Sequence, residues 1–243
     1  KQQYLSQLDF SNYLLQSSTF LVDRVTAYVF NMVENPSDDT YKKHVDDVAT
    51  AINNDDLIVK TGLLQILWQR FVTLQNPNLA NYITDKYLLD LANKTEDTLL
   101  AQTITAYKNT SIGTKAPNFD VLLNGKTTSL HQLKGAEHYL LVFWSSGCGH
   151  CLNELPLVKA LTAKNPNLKV VAFSLEEDAV KWTEEIKNYP NFIHGIGLNK
   201  WNNPIVKTYG IAATPMYFLL DASKIIVSKP YAFEDLEVIL KAL

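Results

Sequence analysis

Apolar residues in the first 110 positions recur three and four apart, which is the spacing of one buried face on an α-helix. Polar residues that favour helix N-termini stand before these apolar runs. The candidates are Ser18 or Thr19, Ser37, Asp55 or Asp56, Asn76 before Pro77, and Thr95. The pattern therefore predicts an all-α domain of four or five helices over residues 1–110.

The second half alternates between strand patterns and helix patterns. Residues 139–144 are an unbroken apolar run of strand length, and residues 168–175 are a mostly apolar run that contains Lys169 and Ser174. Such runs are typical of parallel strands that helices cover on both faces. A helix from about Cys148 to Ala163 is predicted between them, and an amphipathic helix from Glu176 to Asn188 follows the second run. Residues 111–243 are therefore predicted to form an α/β domain.

Turn residues indicate hairpins on either side of this β-α-β unit. Asn124-Gly125 supplies the two positive-φ positions of a tight turn. A second hairpin is predicted around Ala222-Ser223-Lys224, and a short helix from about Phe233 ends the chain. The predicted order is hairpin, β-α-β, helix, hairpin, helix, which gives a mixed sheet with helices on both faces.

Composition changes where the pattern changes, since eight of the nine glycines and seven of the nine prolines lie at or after Gly113. Apolar residues make up 47% and charged residues 19%, which excludes a disordered or fibrous chain. The net charge of -3 gives no broad basic surface, so nucleic acid is not an expected partner. No apolar run reaches the ~18 residues of a membrane span. The first residue is Lys1 rather than Met, which suggests a processed or truncated start.

The two cysteines, Cys148 and Cys151, are separated by only two residues. A pair this close cannot connect distant parts of a fold, so its role is chemistry or metal binding. A structural zinc site needs four ligands, usually with a second close pair of Cys or His. No metal is predicted, because none of the other histidines forms such a pair with a neighbour: His44, His131, His138 and His194.

The cysteine pair stands where a buried strand gives way to a helix. The free N–H groups and partial positive charge of a helix N-terminus stabilise a thiolate. Cys148 is therefore predicted to be the attacking nucleophile. Cys151 lies one turn along and faces inward, where it can close a disulfide onto Cys148 and resolve a mixed disulfide.

Several motifs follow one another in a fixed order in the second half. They are Ile112-Gly113-Thr114-Lys115-Ala116-Pro117-Asn118-Phe119, the strand ending at Trp144, the Cys-Gly-His-Cys segment, Glu154-Leu155-Pro156, and Ala213-Thr214-Pro215-Met216-Tyr217-Phe218. Together they resemble the thioredoxin superfamily and, within it, the TlpA/ResA-like thiol-disulfide oxidoreductases. The helical first half resembles the N-terminal extensions of Bacteroidetes-type secreted proteins.

The resemblance implies a substrate-binding surface around Thr214 and Pro215. Thr214-Pro215 matches the cis-proline of the superfamily, beside which an extended substrate pairs with the backbone. The alternative is an ordinary turn before an edge strand. Trp144 and Gly149 are expected to contribute to the same surface.

The resemblance also assigns a role to Glu154, three residues after Cys151 on the same helical face. A glutamate at this position in the TlpA/ResA-like group lies under the active site, whereas classical thioredoxins place a buried aspartate where this chain has Val142. Glu154 is therefore expected to accept or donate the proton of Cys151. The alternative is an exposed glutamate that complements the helix dipole.

His150 makes the central dipeptide Gly-His, as in protein disulfide isomerases. A nearby imidazole stabilises the Cys148 thiolate, which raises the reduction potential above that of a Gly-Pro thioredoxin. Gly147 replaces the tryptophan that many members have before the first cysteine. No proline precedes Cys148 at residues 142–147, so a peroxiredoxin-type peroxidase is not expected.

These observations favour a thiol-disulfide oxidoreductase that acts outside the cytoplasm on protein disulfides or on another redoxin. No metal, flavin or nucleotide cofactor is implied, and no motif identifies the electron donor. A lipid anchor or other membrane tether outside this sequence is compatible with the resemblance. The alternative is a non-enzymatic binding module, in which the helical domain recognises a partner and the thioredoxin-like domain is structural.

Overall fold

The first half of the chain is helical, as the spacing of its apolar residues predicts. The computed structural model describes residues 2–52 and 56–242, and the chain divides into two units after Lys108. The helices of the first unit are α1 (Gln2–Ser6), α2 (Tyr13–Gln16), α3 (Phe20–Thr26), α4 (Asp38–Ala51), α5 (Leu57–Thr73), α6 (Pro77–Ile83), α7 (Leu89–Lys94) and α8 (Thr98–Asn109). Two π-helical turns, Ala27–Asn31 and Thr84–Leu88, extend α3 and join α6 to α7.

Side-chain caps begin three of these helices at predicted positions. Ser37 caps α4, and the side-chain oxygens of Asp56 and Asn76 accept backbone hydrogen bonds at the starts of α5 and α6. Each cap satisfies N–H groups that have no partner within the helix. Asp55, the other candidate for the start of α5, lies outside the described residues.

Two expectations for the helical unit are wrong. Thr95 does not open the last helix, because Asp97 accepts the hydrogen bond of the Leu100 N–H at 2.9 Å. A lone histidine in this helical pattern, His44, is expected at the surface, but it is buried against the Tyr28 ring. Its Nδ1 lies 2.9 Å from the Tyr28 carbonyl oxygen, so its polar atom is satisfied inside the core.

The helical unit encloses an apolar core of its own. Val45, Leu64, Leu67 and Leu79 have no exposed surface within it. Helix faces of this kind gain their stability from burial rather than from helix propensity alone. Within the described residues, no helix combines the length and apolar character needed to cross a lipid bilayer.

The second unit is built on one sheet, whose seven strands among the described residues run in the order β2-β1-β5-β4-β3-β6-β7. The strands are β1 (Asp120–Leu123), β2 (Lys126–Ser129), β3 (His138–Trp144), β4 (Leu168–Glu176), β5 (Ile193–Leu198), β6 (Met216–Asp221) and β7 (Ile226–Ser228). The helices are α9 (Gly149–Thr162), α10 (Val180–Glu185), α11 (Pro204–Tyr209) and α12 (Phe233–Lys241). Strands β3, β4 and β5 are parallel, whereas β6 runs antiparallel to β3 and β1 antiparallel to β5. The predicted mixed sheet and both predicted hairpins are confirmed.

Strand β3 is buried on both faces, as its unbroken apolar run predicts. Odd-numbered residues from Tyr139 to Phe143 pack into a core that includes side chains of α11. Even-numbered residues from Leu140 to Trp144 pack into a second core with α9, α10 and α12. Strands β4 and β6 pair with β3 on its two sides. The end of β3, from which the chain continues towards α9, is therefore held in a fixed position.

Strand β5 and helix α11 are absent from the predicted order of elements. The strand contains Gly195 and Gly197, and glycine weakens the strand pattern in a sequence. The structure explains both glycines, because a Cβ at Gly195 would lie 2.6 Å from the Phe173 ring and one at Gly197 would lie 2.8 Å from it. The Phe173 side chain on the neighbouring strand occupies the space.

The predicted helix from Glu176 to Asn188 is too long at its start. Glu176 is the last residue of β4, and α10 begins only at Val180. A 3₁₀ turn over Ile186–Asn188 then ends this segment. Glu176 ends the buried strand, and Glu177 and Asp178 belong to the loop after it, although the three acidic residues resemble a helix start in the sequence.

We predict that Gly195→Ala lowers the free energy of unfolding of the sheet unit by about 1–3 kcal/mol, because the added methyl group overlaps the Phe173 ring. Urea denaturation followed by circular dichroism measures the change. Gly62→Ala in α5 is the matched control, since a Cβ there meets no atom within 4 Å. That variant should be neutral or more stable by up to about 1 kcal/mol. Equal stability of Gly195→Ala and the parent would contradict the packing argument.

Candidate active site

The two cysteines lie at the junction between β3 and α9. Cys148 is the N-cap of α9, and the Cys151 N–H donates a hydrogen bond to the Cys148 sulfur at 3.2 Å. The two residues form a disulfide, with their Cα atoms 5.2 Å apart. In the reduced protein, the same N–H group and the helix dipole would stabilise a thiolate on Cys148.

The two sulfur-bearing residues differ in their access to solvent. Cys148 is partly exposed, whereas Cys151 is completely buried in the core beneath α9. An external disulfide can therefore reach Cys148 and not Cys151. The arrangement suits Cys148 for attack and Cys151 for resolution from within.

Thr214 and Pro215 lie beside the nucleophile, at the start of β6. The peptide bond between them is cis, which confirms the predicted isomer. The Thr214 carbonyl oxygen is 3.4 Å from the Cys148 sulfur, and both residues are partly exposed. The structure therefore places Thr214 and Pro215 next to Cys148, as the resemblance implies.

Glu154 lies on α9, one turn beyond Cys151, and it is partly buried. Its Oε2 accepts a hydrogen bond of 2.6 Å from the Tyr217 hydroxyl. Tyr217 pairs with Val142 across strands β6 and β3. The carboxylate of this site is therefore supplied by helix α9, and position 142 on the strand is apolar. Burial raises the pKa of Tyr217, so its hydroxyl remains a donor at physiological pH. Glu154 is not the freely exposed glutamate of the alternative interpretation.

Trp144 does not belong to a substrate-binding surface, and this expectation is corrected. Its side chain has no exposed area and packs in the core together with Cys151. As the last residue of β3 it faces α9 and cannot contact a bound peptide. Gly149 and His150 are exposed in the first turn of α9, next to Cys148.

A cavity of about 150 Å³ opens beside Cys148. It is lined by Ser145, Gly147, Cys148, Leu175, Lys200, Trp201 and Thr214. From the sequence, Trp201 is expected either near the site or, as is more common for tryptophan, in the core. It is 49% exposed and lines this cavity, so the expectation of core packing is wrong. Two successive non-glycine residues with positive φ, Asn199 at 67° and Lys200 at 44°, form the turn that leads to Trp201. The polar residues on both sides of Trp201 are the sequence feature that indicates its exposure.

Glu176 is a buried part of the site that sequence reasoning missed. It is 5% exposed, and its Oε1 accepts a hydrogen bond of 2.6 Å from the Ser146 N–H. The Ser146 hydroxyl donates to Oε2 at 2.9 Å, and the Ser174 hydroxyl donates to Oε1. As the first of three acidic residues, Glu176 resembles a helix start in the sequence, which hides its position at the end of β4.

The described residues hold no group of three or more His, Cys, Asp or Glu side chains placed to bind a metal ion. The chemistry that this arrangement supports directly is thiol-disulfide exchange. One sulfur is exposed at a helix N-terminus, the other is buried, and a carboxylate lies one helical turn from the buried sulfur.

Comparison with known proteins gives matches to the second unit. The Redoxin family matches residues 111–238. Thiol-disulfide oxidoreductase ResA from Bacillus thuringiensis subsp. konkukian is 31% identical over 137 residues, which cover 55% of this chain and 78% of that protein. Thiol:disulfide interchange protein DsbE from Xylella fastidiosa (strain Temecula1) is 30% identical over 125 residues, which cover 47% of this chain and 58% of that protein.

One solved structure is similar over both units. A thioredoxin-like protein from Bacteroides caccae aligns with 99% of this chain and 90% of its own length, with a TM-score of 0.53 and 20% identity. At this identity the likeness concerns the fold, a helical region followed by a thioredoxin-like sheet.

We predict that Glu154→Gln slows resolution of a mixed disulfide by roughly ten- to a thousandfold, because the variant keeps the shape of the side chain and loses the proton acceptor. Tyr217→Phe is the matched control. It removes the hydrogen bond to Glu154 and leaves the carboxylate, so it should slow resolution less. Stopped-flow reoxidation of the Cys148 mixed disulfide measures both rates. A Glu154→Gln variant that resolves as fast as the parent would show that the proton leaves Cys151 by another route.

Proposed function

The chain belongs to the Redoxin family and is a TlpA/ResA-like thiol-disulfide oxidoreductase, and on that premise we propose that it exchanges its Cys148–Cys151 disulfide with protein disulfides or with another redoxin. The observation that supports this most directly is the contrast between the two cysteines. Cys148 is partly exposed at the N-cap of α9, whereas Cys151 is buried.

The proposed exchange takes place in two displacement steps. The Cys148 thiolate attacks one sulfur of the substrate disulfide, which forms a mixed disulfide and releases the other substrate sulfur as a thiol after it takes up a proton. Cys151 then gives its proton to Glu154 and attacks the Cys148 sulfur. The mixed disulfide breaks, and the second substrate sulfur leaves as a thiolate that takes up a proton. The Cys148–Cys151 disulfide forms, so two electrons have passed from the reduced dithiol of this protein to the substrate. The reverse sequence oxidises a dithiol substrate.

His150 is proposed to tune the direction of this exchange. It lies two residues after the nucleophile in the exposed first turn of α9. An imidazole close to the nucleophile stabilises the Cys148 thiolate and therefore the reduced state. The protein would then be a weaker reductant than a thioredoxin with Gly-Pro between its cysteines.

The substrate is proposed to bind across Gly149, Thr214 and Pro215, with its disulfide over Cys148. All three residues have exposed surface around the nucleophile. Trp201 supplies an exposed aromatic wall for the cavity beside Cys148. An extended segment of a client protein could pair with the backbone at Thr214 while an apolar side chain contacts Trp201.

The proposed location is outside the cytoplasm, in the periplasm or its equivalent, with a lipid anchor as one route to a membrane surface. The resemblance to TlpA/ResA-like proteins supports this location. Residues 111–243 are proposed to perform the exchange. The helical domain, residues 1–110, is proposed to influence the choice of client or the stability.

We predict that Cys151→Ser accumulates mixed disulfides between Cys148 and its clients, because the resolving thiol is lost. Cys148→Ser is the matched control and should accumulate few or none, since the buried Cys151 cannot reach an external disulfide. Reaction with an oxidised model protein such as scrambled ribonuclease, followed by non-reducing mass analysis, measures the adducts. Equal adduct formation by the two variants would contradict the assignment of Cys148 as the nucleophile.

A further inference from the structure

The carboxylate of Glu176 is unusual because it is buried without an ion-pair partner among the described residues. It is 5% exposed, and the hydrogen bonds to it come from neutral donors on Ser146 and Ser174. A charge is stable in such a place only when hydrogen bonds replace the lost water. The donors on Ser146, including its backbone N–H, are therefore bound tightly to this carboxylate.

The hydrogen bonds to Ser146 connect the end of β4 to the segment that follows β3 and leads to Cys148. Strands β3 and β4 are parallel, and Trp144 is in register with Ser174. Glu176 extends beyond that pair and contacts the first turn that follows β3. The turn is closed by a bond of 3.0 Å from the Cys148 N–H to the Ser145 carbonyl oxygen. Through Ser146, Glu176 therefore fixes the segment that places Cys148 on α9.

The same carboxylate also holds a negative charge near the Cys148 sulfur. Ser146 is two residues before Cys148, which limits their Cα separation to about 7 Å. With the 2.6 Å contact from Glu176 to the Ser146 N–H and the length of the cysteine side chain added, the charge lies no more than about 14 Å from the Cys148 sulfur. A nearby negative charge disfavours a thiolate, whereas the α9 N-terminus favours one. The two influences oppose each other at Cys148.

We propose that Glu176 is a positioning residue for Cys148, whose buried carboxylate holds the Ser145–Gly147 turn in place and keeps a negative charge behind the nucleophile. The inference rests on the proposed role of Cys148 as the attacking thiol. Its consequence is that Glu176 makes Cys148 less acidic, and the couple more reducing, than the helix N-terminus alone would.

Other charged or titratable groups also surround Cys148, and each remains in place in the test. His150 is on the same helix, and Lys200 lines the cavity wall. Glu154 is on the far side of Cys151. Glu177, Asp178 and Lys181 line the opening next to Glu176.

The test is Glu176→Gln in the full chain. The glutamine oxygen can accept from the Ser146 N–H, and its amide can donate to the Ser146 hydroxyl, so the contacts survive while the charge is removed. At an effective dielectric constant of about 20 and a distance of about 10–14 Å, the pKa of the Cys148 thiol should fall by about one unit. The pH dependence of iodoacetamide alkylation of reduced Cys148, followed by peptide mass analysis, measures this pKa.

The alkylation rates should change in a characteristic way. If the pKa of the Cys148 thiol falls by one unit, about ten times more thiolate is present at a pH below the pKa. Each thiolate is then about threefold less nucleophilic. Glu176→Gln should therefore react about threefold faster than the parent at low pH and about threefold slower on the high-pH plateau. Glu177→Gln is the matched control, because it removes the same charge from an exposed neighbour and should leave the profile unchanged.

A second measurement on the parent protein tests the anchoring without a variant. The Ser146 amide proton should exchange with solvent about a hundredfold more slowly than that of Gly149, because it is bonded to a buried carboxylate. An unprotected Ser146 amide, or a Glu176→Gln profile that matches the parent, would overturn the proposal. If both expected results are obtained but Cys148 does not exchange with protein disulfides, the proposed function is wrong and the role of Glu176 stands.

Discussion

The Cys148 sulfur lies at the N-terminus of α9, where the Cys151 N–H donates a hydrogen bond to it at 3.2 Å, and the chemistry of the second unit depends on this contact. A thiol becomes a useful nucleophile when its thiolate is stabilised, and a helix N-terminus supplies both free N–H groups and partial positive charge. The contact requires that the chain leave the sheet at a fixed point. Strand β3 ensures this, because it is buried on both faces and paired on both sides.

The sheet also separates the two sulfurs into different surroundings. Cys148 faces a small cavity bounded by Thr214 and Trp201, where a substrate disulfide can approach. Cys151 faces the core, where burial disfavours the thiolate that it needs for resolution. Glu154 places a carboxylate on the same helical face one turn away, where it is proposed to accept the proton of the buried thiol.

Those parts of the fold that depend on local sequence could be predicted, and those that depend on distant neighbours could not. Apolar runs of strand length identified β3 and β4, and the order of motifs identified the cis peptide bond before Pro215. Strand β5 escaped prediction because the Phe173 ring, 22 and 24 residues away in sequence, requires glycines at Gly195 and Gly197. The burial of Glu176 likewise depends on donors from Ser146, which belongs to another element.

The reduction potential of the Cys148–Cys151 couple tests the central claim, that this pair is a redox-active site and not a structural crosslink. The full chain would be equilibrated with defined ratios of reduced and oxidised glutathione or dithiothreitol, and its free thiols trapped by alkylation. We expect a reversible two-electron couple between about -270 and -120 mV, because the N-terminus of α9 stabilises the Cys148 thiolate and His150 is proposed to add to this effect. A potential at or below about -300 mV, the range of structural disulfides, would contradict this account.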